Sequence, residues 1–304
     1  MKKSLKPLLL GCLALLFALP PLPAYAWNGA GHRLVAAIAW RKMTPTARQA
    51  ASKLLQQHPD YLKWTPRSYR GNADADYLAF IEASTWPDDI RHDRRFDAHP
   101  SAAERPLPGF PDMGQHGDWH FMNLPFDSKE TGRSKRPARG EIDSRLDELL
   151  QRLDNPRAPF RPYALPWVIH LVADLHQPLH VVSRNDDEGG NRQPILDPRR
   201  RPPQTNLHAF WDQLPGHGGL RGDRLERQVD EMLTHASPTA YSGGVASWRD
   251  ESLRIARELG YPSANLREIP VISDGWRSRA ESAAQQRLVD AGLRLADRLN
   301  HHLR

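Results

Sequence analysis

The chain has 304 residues, 26% of them charged and 39% hydrophobic, with a formal net charge of +6 and one cysteine. This composition fits a globular chain with a core of ordinary size and excludes a disordered one. Lys2, Lys3 and Lys6 fall in a leader whose removal leaves +3, too mild for a polycation that grips a polyanion by charge alone.

Met1 to Ala26 reads as a signal peptide: MKKSLK is basic, Leu8 to Leu19 is an apolar run, and Ala24-Tyr25-Ala26 is an A-x-A cleavage site. The run is too short for a membrane-spanning helix. The expectation is an exported chain, periplasmic or secreted, that starts at Trp27 and keeps no membrane attachment. A lipoprotein site at Cys12 is the rival reading, and the few apolar residues ahead of it count against it. Cys12 leaves with the leader, so no disulfide is available, and bound metal or a large core must hold the fold.

Beyond the leader the helical period dominates. Ala30 to Met43 is apolar on one side, and Thr44-Pro45 reads as N-cap and first-turn proline of a helix toward Gln57. Helices are expected over Asn72 to Ala83 and over Glu141 to Leu153, with Ile142, Leu146, Leu149, Leu150 and Leu153 inward. Further helices are expected over Tyr163 to Gln177, Arg224 to His235, Trp248 to Leu259 with Gly260 as C-cap, and about Ser273 to His302. Arg91 to Gln115, Ser128 to Gly140 and Ser183 to Asn206 read as loops, with strand character only in short pieces near Arg192 to Pro203. Residues 27–304 are therefore expected to form a single all-α, multi-helix domain with long loops and at most a small β-hairpin.

The chemistry concentrates in His170 to His180, HLVADLHQPLH. His170 and Asp174 are four apart and so share one helical face. NLHAFWD repeats the spacing with His208 and Asp212. One such pair is ordinarily a helix-surface hydrogen bond; two in apolar surroundings point to metal, and imidazole with carboxylate suits zinc at ~2.0–2.2 Å. Pro178 lacks an amide donor and should end the helix near Gln177, turning His180 toward a different metal from that of His170. At the expected terminus the Trp27 α-amine, of pKa ~7.7–8.0, deprotonates readily beside a cation and chelates together with its carbonyl. His32 is placed to add a ligand, and Gly29 and Gly31 let the chain fold back. Asp88 in STWPDDIR, with Arg91 one turn on, and His120 with Phe121 in GDWHFMNLP complete the set.

In this order the fragments resemble the zinc-dependent single-strand-specific nucleases of fungi, plants and bacteria, the nuclease S-one/P-one family of the phospholipase C/nuclease superfamily. The matching residues are Trp27 and His32, WPD at Asp88, WHF at His120, the HLVADLHQPLH run, GGN at Gly189 to Asn191, and NLHAFWD. They span Trp27 to about Asp212; the C-terminal third is similar only in being helical. The resemblance implies an α-helical fold of the phospholipase C/nuclease type with three Zn²⁺ ions in a cleft. One would be held by Asp88, His120, His170 and Asp174, and the second by the Trp27 amine and carbonyl, His32 and a bridging Asp174. The third would be held by His180, His208 and Asp212.

The implied activity is hydrolysis of single-stranded DNA and RNA to 5′-phosphate products, with 3′-nucleotidase activity and no stable protein partner. Two ions sharing Asp174, one of them held also by Asp88, would lower the pKa of a water between them. Arg91 stands where the family often has lysine, and its guanidinium forks a phosphate bidentately. Phe121 would stack a splayed base, which favours single strands because a paired base must first unstack. Asn123 replaces an acid of the family; an amide both donates and accepts, which leaves base preference open. His176 lies on another helical face and reads as a support behind the site or as structural, and His58, His92, His99, His116, His217, His235, His301 and His302 read as surface or loop residues. Two other readings stand beside this one. A zinc phospholipase C is expected to carry His-x-x-x-Glu where this chain has His208 and Asp212. A zinc-storage protein needs no open positions between metals.

Overall fold

The 3.6-residue period of the chain is realised as helix almost throughout the computed structural model, which describes residues 27–65, 75–100, 105–127, 139–235, 243–263 and 268–304. The expected leader, the start of the Asn72–Ala83 helix and most of the Ser128–Gly140 loop lie outside these residues. In chain order the α-helices are α1 (Gly29–Lys42), α2 (Pro45–Gln56), α3 (Tyr61–Trp64), α4 (Ala75–Ala83), α5 (Trp86–Asp89) and α6 (Ile142–Asp154). They continue as α7 (Arg161–Leu175), α8 (Leu207–Asp212), α9 (Gly222–His235), α10 (Val245–Ile255) and α11 (Asp274–His302). Short 3₁₀ turns cover Ile90–His92, Gly117–His120 and Pro178–Val181. Among the described residues no helix is long and apolar enough to cross a membrane.

Side chains cap several of the helix starts, the expected one at Thr44 among them. The Asn28 side chain accepts from the backbone N–H of Ala30 and Gly31 at the head of α1, and Thr44 accepts from Ala47 ahead of Pro45 in α2. In α6 the buried residues are the five inferred from the period: Ile142, Leu146, Leu149, Leu150 and Leu153. This stripe packs on α7. Burial in α7 is of another kind, for every residue from Tyr163 to Leu175 is buried. A helix apolar all round can only be central, and α1, α4, α5, α6, α10 and α11 all pack against it. α1 is similarly enclosed from Ala30 to Trp40, with α11 its principal neighbour. Gly292 makes that contact possible: a Cβ there would lie 2.5 Å from Ile38 Cγ2.

The strand content exceeds the expected single hairpin. The hairpin exists, with β3 (Pro194–Leu196) antiparallel to β4 (Gln204–Asn206). In addition β1 (Leu124–Pro125) pairs in parallel with β2 (Val182–Ser183); two residues per strand are too few for alternation to register in a sequence. Two helix ends also differ. α7 stops at Leu175, two residues short of Gln177, because Pro178 cannot continue the ladder. The expected Trp248–Leu259 helix is α-helical only to Ile255 and finishes as a π-turn over Ala256–Gly260. His58, expected at the surface, is 3% exposed and sits among Trp64, Trp86 and Phe110.

Candidate metal centre

The C-terminal end of α7, the start of α1, α5, the Gly117–His120 turn and α8 converge on one cleft, and each brings candidate ligands. α7 supplies His170 and Asp174, both with no exposed surface. Asp174 lies at the centre: its Oδ2 is 3.0 Å from His120 Nδ1 and 3.2 Å from His170 Nε2, and its Oδ1 is 3.5 Å from His32 Nε2. Asp88 spans the same two sides, with Oδ1 4.0 Å from His120 Nδ1 and 3.9 Å from His170 Nε2, and Oδ2 3.9 Å from His32 Nε2. Either carboxylate has the placement of a bridge; the sequence pointed only to Asp174.

A second cluster follows the kink at Pro178. His180 and His208 have their ring centroids 5.0 Å apart, and His208 Nε2 is 3.6 Å from Asp212 Oδ2. Beyond the kink at Pro178, His180 lies with His208 and Asp212, in a group separate from that of His170.

Backbone carbonyls fix three of these imidazoles. A carbonyl only accepts, so a ring nitrogen against one carries the proton and the opposite nitrogen carries the lone pair. His170 Nδ1 donates to Ser84 O at 2.8 Å, His180 Nδ1 to His120 O at 2.7 Å, and His208 Nδ1 to Gly189 O at 2.8 Å. All three present Nε2 to the cleft, as outer hydrogen bonds do for metal-binding histidines. Gly189 is required for the last of these contacts: its φ is +64°, and a Cβ would lie 2.3 Å from Leu179 O.

The residues fit a divalent cation. His180 Nε2, His32 Nε2, Asp174 Oδ1 and Asp88 Oδ1 are buried without a hydrogen-bond partner among the described residues, an arrangement that needs something to satisfy it. Donors held tetrahedrally at ~2.0–2.2 Å from zinc stand roughly 3.3–3.6 Å from one another. The observed separations of 3.2 Å, 3.5 Å and 3.6 Å are close to that.

Charge tells the same story. Burial holds the imidazoles of His32, His120 and His180 well below the ordinary histidine range. Burial likewise raises Asp174 to about 6 and lifts Asp212 well above the carboxylate range. His170 is opposed: burial works to lower it, but the carboxylates of Asp174 and Asp88 outweigh burial and hold it raised. Neutral imidazole is the ligating form, and a cation nearby would return both aspartates to the ionised state.

Trp27 is fully buried, and the next residue anchors it, since the Asn28 N–H donates to Asp212 O at 3.0 Å. The two glycines have a different use from the one expected. Gly29 and Gly31 are helical, and Gly31 makes room for Trp27, whose Cβ would be 2.5 Å from a Cβ on residue 31. Arg91 Nη2 is 3.6 Å from Asp88 Oδ1. A cleft of about 570 Å³ opens over the clusters, lined by Arg91, His120, Phe121, Asn123, His180 and His208 among others. A groove of about 870 Å³ between α9 and α11 is larger but touches none of the candidate ligands. Phe121 and Asn123 sit on the segment that β1 extends: Met122 N–H donates to His180 O at 2.7 Å, so the parallel pair ties His120 to His180.

Sequence reasoning missed the supporting groups. Ser84 and Gly189 act through carbonyls, which no residue type announces. Gln177, inside the HLVADLHQPLH run, donates from Nε2 to Asp212 Oδ1 at 2.9 Å. His176 faces away, with Nδ1 on Val172 O and Nε2 2.9 Å from Arg294 Nη1, and so belongs to the packing of α7 on α11.

The S1/P1 Nuclease family model matches residues 27–304. Endonuclease 2 of Arabidopsis thaliana is 26% identical over 314 aligned positions, covering 94% of this chain and 93% of the relative. Endonuclease 1 of the same plant is 24% identical over 308 positions, covering 90% and 86%. Nuclease S1 of Aspergillus oryzae is 25% identical over 253 positions, covering 80% and 74%.

Proposed function

The chain belongs to the S1/P1 nuclease family, hydrolases of phosphodiester bonds, and on that premise we propose that it is a zinc endonuclease of single-stranded DNA and RNA. Its products would end in 5′-phosphate and 3′-hydroxyl, and it would also remove the phosphate of 3′-nucleotides. The observation that carries this reading is two buried His/Asp clusters opening into one cleft that also holds a guanidinium and a partly exposed aromatic ring. Asp88, His120, His170 and Asp174 would hold one ion, and the Trp27 amine and carbonyl with His32 and Asp174 a second. His180, His208 and Asp212 would hold the third. When bound, the ions supply Lewis acidity, which lowers the pKa of water toward 7 and offsets charge on the phosphate.

The side chains do the rest. Asp174, with one oxygen toward His120 and His170 and the other toward His32, keeps the first two subsites close. Arg91, beside Asp88, offers a bidentate fork to a phosphate. Phe121 gives a base a stacking face worth ~1–3 kcal/mol, and Asn123 lines the same cleft, where its amide can both donate to and accept from a base edge. We place the mature protein outside the cytoplasm, starting at Trp27, because the basic, apolar and A-x-A segments of Met1 to Ala26 are those of an export leader.

The test is a substrate panel on protein that begins at Trp27, with its zinc content measured. Single-stranded DNA, RNA and 3′-AMP should be hydrolysed and phosphatidylcholine left intact, with all activity lost in chelator. Phospholipid cleavage without nucleic-acid cleavage, or full activity after complete removal of metal, overturns the reading.

A further inference from the structure

Resting on the zinc reading above, we propose that Gln177 is a positioning residue that aims the Asp212 carboxylate and so sets the cation affinity of the His180–His208–Asp212 cluster. Gln177 is fully buried in the turn between α7 and Pro178. The two ends of its amide can be told apart chemically. The Leu179 N–H, 2.6 Å away, can only donate, so the group facing it is Oε1. The opposite end is then the NH₂ group, 2.9 Å from Asp212 Oδ1. One oxygen of Asp212 is thereby occupied, and the other, Oδ2, is left toward His208 Nε2.

Gln177 can act as a fixed point because its own backbone is held. Its N–H donates to Asp174 O at 2.9 Å. Just before it, Ser252 Oγ on α10 donates to Leu175 O at 2.6 Å, and Arg287 Nε on α11 donates to His176 O at 3.3 Å. The two imidazoles of the cluster are oriented by carbonyls; the carboxylate, which would otherwise swivel, is oriented by this one amide. Outer hydrogen bonds of this kind typically change metal affinity 10–100-fold.

The experiment uses the mature, zinc-loaded protein and two variants, Gln177→Met, which keeps length and removes the donor, and Gln177→Glu, which keeps shape and replaces the donor with an acceptor. Zinc affinities are read by chelator competition, the spectrum of cobalt(II)-substituted protein reports the coordination of each ion, and the melting temperature is taken after metal removal. In Gln177→Met one ion per chain should bind ~10–100-fold more weakly, with a larger loss in Gln177→Glu. The other ions should bind as in wild type, whereas the metal-free melting temperature should fall in Gln177→Met, which also leaves the Leu179 N–H without its acceptor. If Gln177→Met does not fold, Gln177→Glu carries the test alone. Wild-type affinities in Gln177→Glu overturn the proposal, as does uniform weakening of every ion, which marks a packing residue. An Asp212→Ala protein that keeps the full wild-type zinc content removes the third-ion reading itself, and the role of Gln177 with it.

Discussion

The two clusters of the cleft are built on different principles. Around Asp212 every side chain is aimed by the fold: His180 and His208 by carbonyls, Asp212 by the Gln177 amide. Around Asp174, among the described residues, only His170 has such an anchor, on Ser84 O. The others face one another: the His120 and His170 ring nitrogens are 3.0 Å apart, and the His32 and His170 rings stack at 3.9 Å. The Asp212 cluster is preorganised by protein, whereas the groups of the Asp174 cluster would need bound cations to reconcile them. Loss of one group should therefore disturb the second cluster locally and the first collectively.

Asp174→Asn bears on this contrast most heavily. It should empty both subsites that share the residue while the His180–His208–Asp212 ion stays. Activity should fall by at least the ~10²–10³-fold that one lost transition-state-stabilising group costs. Zinc analysis checks it, and a variant holding three ions would erase the distinction. Next, one extra residue ahead of Trp27 removes the free amine and should weaken a single ion of the Asp174 side, read as one weak site in chelator titration. Phe121→Ala should spare both clusters and cost ~1–3 kcal/mol of polymer binding, seen as a higher KM with unchanged metal content.

The smallest effect concerns a buried histidine outside both clusters. Burial lowers His58 to about 3 from its ordinary 6.5. Between those values the unfolded chain takes a proton that the folded chain refuses, so stability is full above pH 6.5 and declines as pH falls toward 3. His58 Nδ1 accepts from the Asp60 N–H, so His58→Phe should be the less stable protein at pH 7. Its deficit relative to wild type should shrink on acidification, in denaturant titrations of metal-free protein.

The helices were legible because period and caps are written in side chains: the buried stripe of α6 and the Thr44-Pro45 start of α2 could be read directly. The candidate ligands were legible because two His-x-x-x-Asp pairs and a proline kink are side-chain statements too. What escaped acts through the backbone or through long-range neighbours. Ser84 and Gly189 contribute carbonyls, β1 and β2 are too brief to alternate, and His58 is buried only because Trp64, Trp86 and Phe110 arrive from elsewhere in the chain. Gln177 was in plain view, but its partner, Asp212, is 35 positions away.

The first helix rests against the last, with Ile38 of α1 seated on Gly292 of α11. Pairings so far apart in sequence form late and slowly, so the principal cover of α1 comes from the last helix of the chain. His32 is on that same helix, so truncation ahead of α11 should disturb its aim toward Asp174. A segment that carries no candidate ligand thus braces the helix that does, and a chain cut ahead of α11 should lose activity on nucleic acid.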